Sequence, residues 1–564
     1  MKEATAEEDH FKPITVTNIH ESLKSLLESI SHVQIFKGKW SLIATKLATL
    51  QTRLSDVSIS AATATENVLF PELLRSLSVT CNSAASIASL CHSLTPPGGK
   101  LKTQSDVDSI SANLDAHIND LEVLVKSGVF VENAAVELPV IGSSGRRESV
   151  RAEARNLMTR LQIGSLESKN SAMDLLLGLL QEDDKNVLIA VAQGMVPILV
   201  RLLDSTCSSE IREKTVAAIA KISTVDSSKH VLLAEGLVLL NNLLRVLESG
   251  SIFAKEKSCI ALQALSNSKE NARAIASRGG ISSLLEICIE GTPNSQALAA
   301  GVLRNLAVFE DIKETFTEEN AVATLLGLCN SGTALAQENT LGCLCNLVSG
   351  DDHLKLFVAK EGGIESMQIF WDSAPTAQGL EVVIHMVSTL ASCPNIADFL
   401  VANGFLNRIV EVLDCAVLGV RIAAAKAAYN LAYNNKSRKE LGEMGCITLF
   451  LRMLDGKNLE EKEAAAKALS VLMNYVGNRR IFRKEEKGIV CVVQLLDPLL
   501  QNLNKNYPIL ILTSLVQSKK CRKQMVAAGA IVHLQKLVEK NIEGAKKLLD
   551  SLGHGKLWGV FFRH

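Results

Sequence analysis

The chain is poor in aromatic residues, in proline, and in any grouping of side chains that carries chemistry. Aromatics make up 4% of 564 residues while 47% are hydrophobic. The apolar content is therefore Leu, Ala, Val and Ile, which pack between helices. Eleven Pro and 34 Gly are too few for a long disordered or collagen-like stretch. Lys and Arg number 59 against 60 Asp and Glu, for a net charge of -1, so there is no global pull toward nucleic acid or a membrane surface. Nowhere do 18 uncharged apolar residues run together, and the opening MKEATAEEDH lacks the apolar segment of a secretory signal. A cytoplasmic protein is expected, with the nucleus left open as a second location.

Catalytic signatures are missing too. There is no GxxxxGK[ST], no GxGxxG after a strand, no HExxH and no GxSxG. The thirteen Cys are scattered through apolar helical patterns, as at Cys288, Cys343, Cys345 and Cys491, and none forms a CxxC pair. Cys343 and Cys345 point to different helix faces, so the thiols read as small hydrophobes in a reducing compartment. Of the 11 His, only His385 falls at a candidate groove position, where a surface polar role is the simpler reading. An enzyme, a metal site or a bound cofactor is not expected.

A repeat is what the chain does have. Small residues restart an apolar helix at Gly194, Gly236, Gly280, Ala321, Gly363, Gly404, Gly445, Gly488 and Ala530, every 41 to 44 residues. After Gly280, the residues Ile281, Leu284, Leu285 and Cys288 recur on one helical face. Pro293 breaks the chain, a longer helix follows with Ala299, Val302, Leu303 and Leu306 on its stripe, and a short one carries Ile312 and Phe316. No block can bury its stripe alone, so neighbours must stack into one core. The small residue suits a sharp bend, because Gly tolerates positive φ. Where Ala321 and Ala530 replace it, Asn320 and Gly529 are expected to take that conformation. Glu213, Glu256, Glu338, Glu381 and Glu463 stand near the start of the long helices, where an acidic first turn would complement the helix dipole.

The period near 42, the openings Gly279 to Ile281 and Gly362 to Ile364, and the endings Arg304 to Ala307 and Cys345 to Val348 resemble armadillo repeats over residues 194–564. The resemblance implies an all-α, right-handed superhelix whose third helices line a concave groove.

Residues 1–13 read as a flexible N-terminus. Residues 14–137 show helical periodicity without the repeat, with helices expected at 16–36, 39–56, 60–94 and 105–127 in an up-down bundle. Residues 138–149 read as a linker containing Arg146-Arg147-Glu148-Ser149. Ser149 is a candidate phosphosite by its basic spacing and, alternatively, the N-cap of the next helix. Residues 150–193 read as a degenerate capping repeat, with Ala154, Leu157, Met158 and Leu161 on one helix and Ala172, Met173, Leu176, Leu177 and Leu180 on the next. The aromatic-basic tail Lys556–His564 either covers the last helix or is offered to a partner or membrane surface. Bundle and repeats together resemble plant armadillo proteins and the armadillo part of plant U-box ubiquitin ligases. The interval 138–193 is too short for a U-box, which argues against ligase activity of its own.

Armadillo grooves often carry Asn before the final Leu-Ala of the long helix, where its amide reads a peptide backbone. That position here is Lys221, Ala264, Asn305, Asn346, Thr389, Asn430, Val471 and Ser514. Four residues earlier, the nuclear-import receptors of the family carry Trp. This chain has Ala217, Ile260, Gly301, Gly342, His385, Lys426, Lys467 and Leu510 there, which argues against recognition of nuclear-localisation signals by that mechanism. With Lys221, Arg304, Lys426 and Lys467 on or near the groove, an acidic or phosphorylated extended peptide is the expected partner, as against ordinary solvated side chains. The basic runs at Arg479-Arg480, Arg483-Lys484 and Lys519-Lys520 with Arg522-Lys523 are expected to line an edge. The functional expectation is a protein-binding scaffold; the alternative is a regulatory or substrate-binding subunit of a ubiquitin-ligase or membrane-trafficking complex.

Overall fold

The computed structural model describes residues 15–61, 69–94, 99–126, 143–204 and 208–553, and among these every regular element is helical. Two compact units divide the chain, Met1–Leu265 and Ser266–His564. The division falls inside the repeat array, between a long helix and the short helix after it.

In the first unit, α1 (Val16–Ser31), α2 (Lys37–Ala61), α3 (Leu69–Leu90) and α4 (Lys100–Lys126) form the N-terminal bundle. Its core follows heptad spacing: Trp40, Ile43, Leu47, Leu50 and Leu54 are buried on α2, and Val107, Ile110, Leu114, Leu121 and Leu124 on α4. Such spacing keeps one seam facing its neighbours along the helix. Lys39–Asp108 at 2.6 Å, Lys46–Asp115 at 2.6 Å and Arg53–Glu122 at 3.1 Å join α2 to α4. Both partners advance by seven each time, so the two helices run parallel. Around the bundle the neighbours are α1 with α2 and α3, and α4 with α2 and α3, which leaves α2 diagonal to α3. His117 is buried at an α4 core position, its Nε2 2.9 Å from Thr80 Oγ1 on α3, and burial holds its pKa below the ordinary value. Of the expected helix over 60–94, residues 62–68 lie outside the described residues; Leu69–Leu90 is helical, and α2 continues through Ala61.

The linker reading needs correction. Residues 138–142 lie outside the described residues, but 143–149 form the first two turns of α5 (Ser143–Ile163). Ser149 is exposed inside that helix and does not cap it. Helix α6 (Leu166–Glu182) follows, capped by Ser165. Ala154, Leu157, Leu161, Ala172, Met173, Leu176 and Leu180 are buried as expected, whereas Met158 and Leu177 are half-buried.

Both units stack their repeats through the long helices. In the first unit α6 packs on Ser209–Ser223, which packs on Ile252–Leu265. In the second, Pro293–Leu306, Ala334–Val348, Ala377–Ala391, Leu418–Leu431, Leu459–Leu472 and Asn506–Leu515 follow in order, each on the one before. The arrangement in each unit is that of a helical solenoid. The polar breaks before the long helices are N-caps: Ser208, Ser251, Thr292, Thr333, Thr376 and Asn458 each accept the N–H three residues on.

The turns carry positive φ, although one residue earlier than expected in two repeats. Gly279 at φ 75° and Gly362 at φ 96° turn the chain, and Gly280 and Gly363 are buried beyond them. Asn320 and Gly529 take the conformation anticipated for them. Gly488 does not, because Lys487 at φ -88° leads directly into its helix. The thiols lie where small apolar groups belong: burial pushes Cys288 and Cys329 up to about 12. The tail 556–564 lies outside the described residues.

Two glycines should respond oppositely to a methyl group. Gly404→Ala, at φ 79°, should lower the unfolding free energy by about 1–2 kcal/mol. Gly178→Ala, inside α6 with open space around it, should raise it by about 1 kcal/mol in urea titrations. Separately, burial raises Asp120 to about 6 despite Lys169 nearby. A carboxyl whose folded pKa is raised favours the native state when protonated, and that stabilisation fades as pH rises from the unfolded value toward 6. Asp120→Asn should therefore raise the melting temperature at pH 7.5 and leave it nearly unchanged at pH 3.5.

Candidate binding surface on the long helices

Of the seven residues singled out from the sequence, Arg304, Asn305, Asn346, Lys426, Asn430 and Lys467 lie on long helices of the second unit and Lys221 on one of the first, and most of them are already engaged with other side chains or carbonyls. Asn305 donates from Nδ2 to Ser266 Oγ at 2.9 Å, Asn346 to the Arg304 carbonyl at 3.1 Å, and Asn430 to the Ser388 carbonyl at 2.8 Å. In the last two, the acceptor sits on the preceding long helix. An amide expected to face a bound peptide is thus also a bond between repeats.

The basic side chains behave alike. Arg304 lies across Gly342 on the next long helix, where a β-carbon would sit 2.5 Å from its Nε. From there it reaches Glu338 at 3.8 Å and Asn339 at 3.4 Å. Lys426 pairs with Glu460 at 2.8 Å and holds that carboxyl below its ordinary range. In the first unit, Lys221 pairs with Asp184 at 2.8 Å. Lys467 makes no ion pair among the described residues; its ammonium stands 4.3 Å from the centre of the Tyr429 ring, a cation–π contact. The long helices of the second unit hold five basic residues (Arg304, Arg421, Lys426, Lys462, Lys467) and five acidic ones (Glu338, Glu381, Glu460, Glu461, Glu463). Their surface carries no net charge.

The glutamate stripe is not in the first turn of its own helices. Glu213, Glu256, Glu338, Glu381 and Glu463 each occupy the fifth helical position, beyond the reach of their own N-terminal dipole. Two of them approach the first turn of the next long helix instead. Glu338 faces Gly379, and Glu381 faces Gly419, where a β-carbon would collide with its carboxylate. Glu463 acts on Tyr507, also in a first turn, whose phenol is raised by burial and then by this charge.

At the position four before the Asn site, the exposed residues come late in the row. Gly301 and Gly342 are buried, while His385 and Leu510 are exposed and Lys426 and Lys467 half-exposed. His385 Nε2 is 3.8 Å from Glu381; its pKa is lowered by partial burial and by Lys426, against the pull of Glu381 and Glu460. Cys345 Sγ lies 3.4 Å from Thr389 Oγ1. Tyr429 and Tyr507, both half-exposed, were not found from the sequence. The only signal for Tyr429 was an aromatic directly before Asn430 in a chain with 4 Tyr.

The basic runs are edge features in part. Arg438, Arg479 and Arg522 bond the carbonyls at the end of the preceding long helix: Ala432 at 2.9 Å, Met473 at 2.6 Å and Val516 at 3.0 Å. They act as C-terminal caps.

Comparison with known proteins adds fold more than function. A family model described as a domain of unknown function (DUF7032) matches residues 17–129, the extent of α1–α4. No curated protein shows significant similarity to the chain. Among solved structures, the crystal structure of an engineered protein aligns with a TM-score of 0.61 at 21% identity, covering 71% of this chain and 99% of its own. At that identity the likeness is one of fold.

Because its amide bonds the preceding helix, Asn346→Ala should cost about 1 kcal/mol of stability, as should Asn430→Ala. A urea titration of each against wild type checks this. Unchanged midpoints would mean that the bonds between repeats contribute nothing.

Proposed function

We propose that the chain is a non-catalytic interaction scaffold whose repeats are of armadillo type, and that it holds an extended protein segment along the later long helices of the second unit. The observation that carries this reading is the row His385, Lys426, Lys467 and Leu510. One helical position repeats there over successive long helices, accessible and flanked by Tyr429 and Tyr507. An extended chain is read at regular intervals by such a row.

The acidic preference narrows to one place. Lys426 is neutralised by Glu460 and Arg304 by Glu338, so an acidic or phosphorylated side chain is best received at Lys467, over the Tyr429 ring. Ser149 is a weaker candidate for phosphorylation than its spacing implied. Kinases take extended segments, and Arg146, Arg147 and Ser149 lie in a helix whose first turns would have to unwind.

Fluorescent acidic and phosphorylated peptides selected by the full-length chain from a peptide library would test this reading. Lys467→Glu should weaken their binding by about tenfold or more, the effect of replacing attraction with repulsion at a contact. Arg304→Gln should leave it nearly unchanged. Equal affinity for wild type and Lys467→Glu, or failure of the wild type to select any peptide, would sink the proposal.

A further inference from the structure

Two successive short helices of the second unit carry exposed charge of one sign. Residues 476–484 hold four basic side chains and no acidic one, and so does the helix Lys519–Ala527. In each, one arginine is engaged on a carbonyl of its own repeat, Arg479 on Met473 and Arg522 on Val516. The other six, Arg480, Arg483, Lys484, Lys519, Lys520 and Lys523, are exposed and make no ion pair or side-chain hydrogen bond among the described residues. Beyond Lys484 come Glu485, which accepts from Thr448 Oγ1 at 2.6 Å, and the exposed Glu486. On the nearest short helix before them, Glu443 pairs with Lys439 at 3.8 Å. The short helices are not basic throughout: in an earlier repeat, residues 310–319 hold five acidic side chains and one basic.

The face is also partly apolar. Val476, Arg480 and Arg483 stand at i, i+4 and i+7 and so share one side of the first segment, as do Lys519, Lys523 and Val526 on the second. The two rows correspond member by member, 43 residues apart. Val476 is 56% exposed and Val526 39%. Lys519–Ala527 packs on Gly488–Gln494, the helix that follows the first segment, so the rows belong to one edge. Six cations attract any polyanion, and the neighbouring groups select among them. A single nucleic-acid strand stacks its bases on aromatic rings, but here Phe482 is buried and Tyr475 half-buried. An anionic bilayer attracts clusters of roughly four to eight Lys and Arg and takes apolar side chains at its headgroup boundary. This face supplies both.

We propose that this edge docks on an anionic lipid surface, with Val476 and Val526 at the headgroup boundary and the six cations among the headgroup charges. Sedimentation of the full-length chain with phosphatidylcholine vesicles, with and without phosphatidylserine, tests it. Capture should require phosphatidylserine and fall as salt is raised. Arg480→Gln with Lys523→Gln should weaken it by roughly 30-fold, about fivefold for each charge. Lys360→Gln with Lys457→Gln, which removes the same charge from other exposed positions of the second unit, should not. Val476→Ser with Val526→Ser should weaken it by about threefold or more, which a polyanion held by charge alone would not show. The proposal is overturned if phosphatidylserine vesicles capture no chain, if either double variant of this face is captured as well as wild type, or if a duplex oligonucleotide binds where the vesicles do not.

Discussion

A helix ends with backbone groups that its own hydrogen bonds cannot reach, and in a stacked array those ends lie beside the neighbouring repeat. Much of the polar chemistry of this chain answers that constraint. Ser, Thr and Asn caps close the starts of most long helices, and Arg438, Arg479 and Arg522 close the ends. Glu338 and Glu381 lean onto the first turn of the next long helix, where negative charge is favoured. Asn346 and Asn430 each tie their own long helix to a carbonyl of the one before. The apolar stripes bring the repeats together, and these polar links set how one repeat meets the next.

That division of labour determines what is left for binding. In the early repeats of the second unit, Gly342 admits the Arg304 side chain, which fills the surface there. In the later repeats the equivalent position is accessible, and two tyrosines stand beside it. A surface with equal numbers of basic and acidic residues exerts little long-range steering. On the proposed reading, recognition there would depend on contact, on backbone hydrogen bonds and on the ammonium of Lys467, which makes no ion pair among the described residues.

The repeat and its turns were legible because periodicity and backbone sterics are local. The spacing of Ile281, Leu284, Leu285 and Cys288 and the need for positive φ at Asn320 are written in a few consecutive residues. The helical state of 143–149 was not, since Gly and Ser read as a linker until Val150 and Ala154 are seen buried. Partnerships between repeats were also hidden. Arg304 with Glu338 and Lys426 with Glu460 join residues 34 apart in sequence, and nothing in either segment names the other. Basic residues therefore looked available that are in fact neutralised.

The central claim is that the later long helices of the second unit form the binding surface. Hydrogen exchange of the full-length chain, with and without a selected peptide, tests it most directly, because amides under a bound segment open less often. Added protection should concentrate in Ala377–Ala391, Leu418–Leu431, Leu459–Leu472 and Asn506–Leu515. Protection confined to α1–α4, or to Pro293–Leu306 and Ala334–Val348, would contradict it.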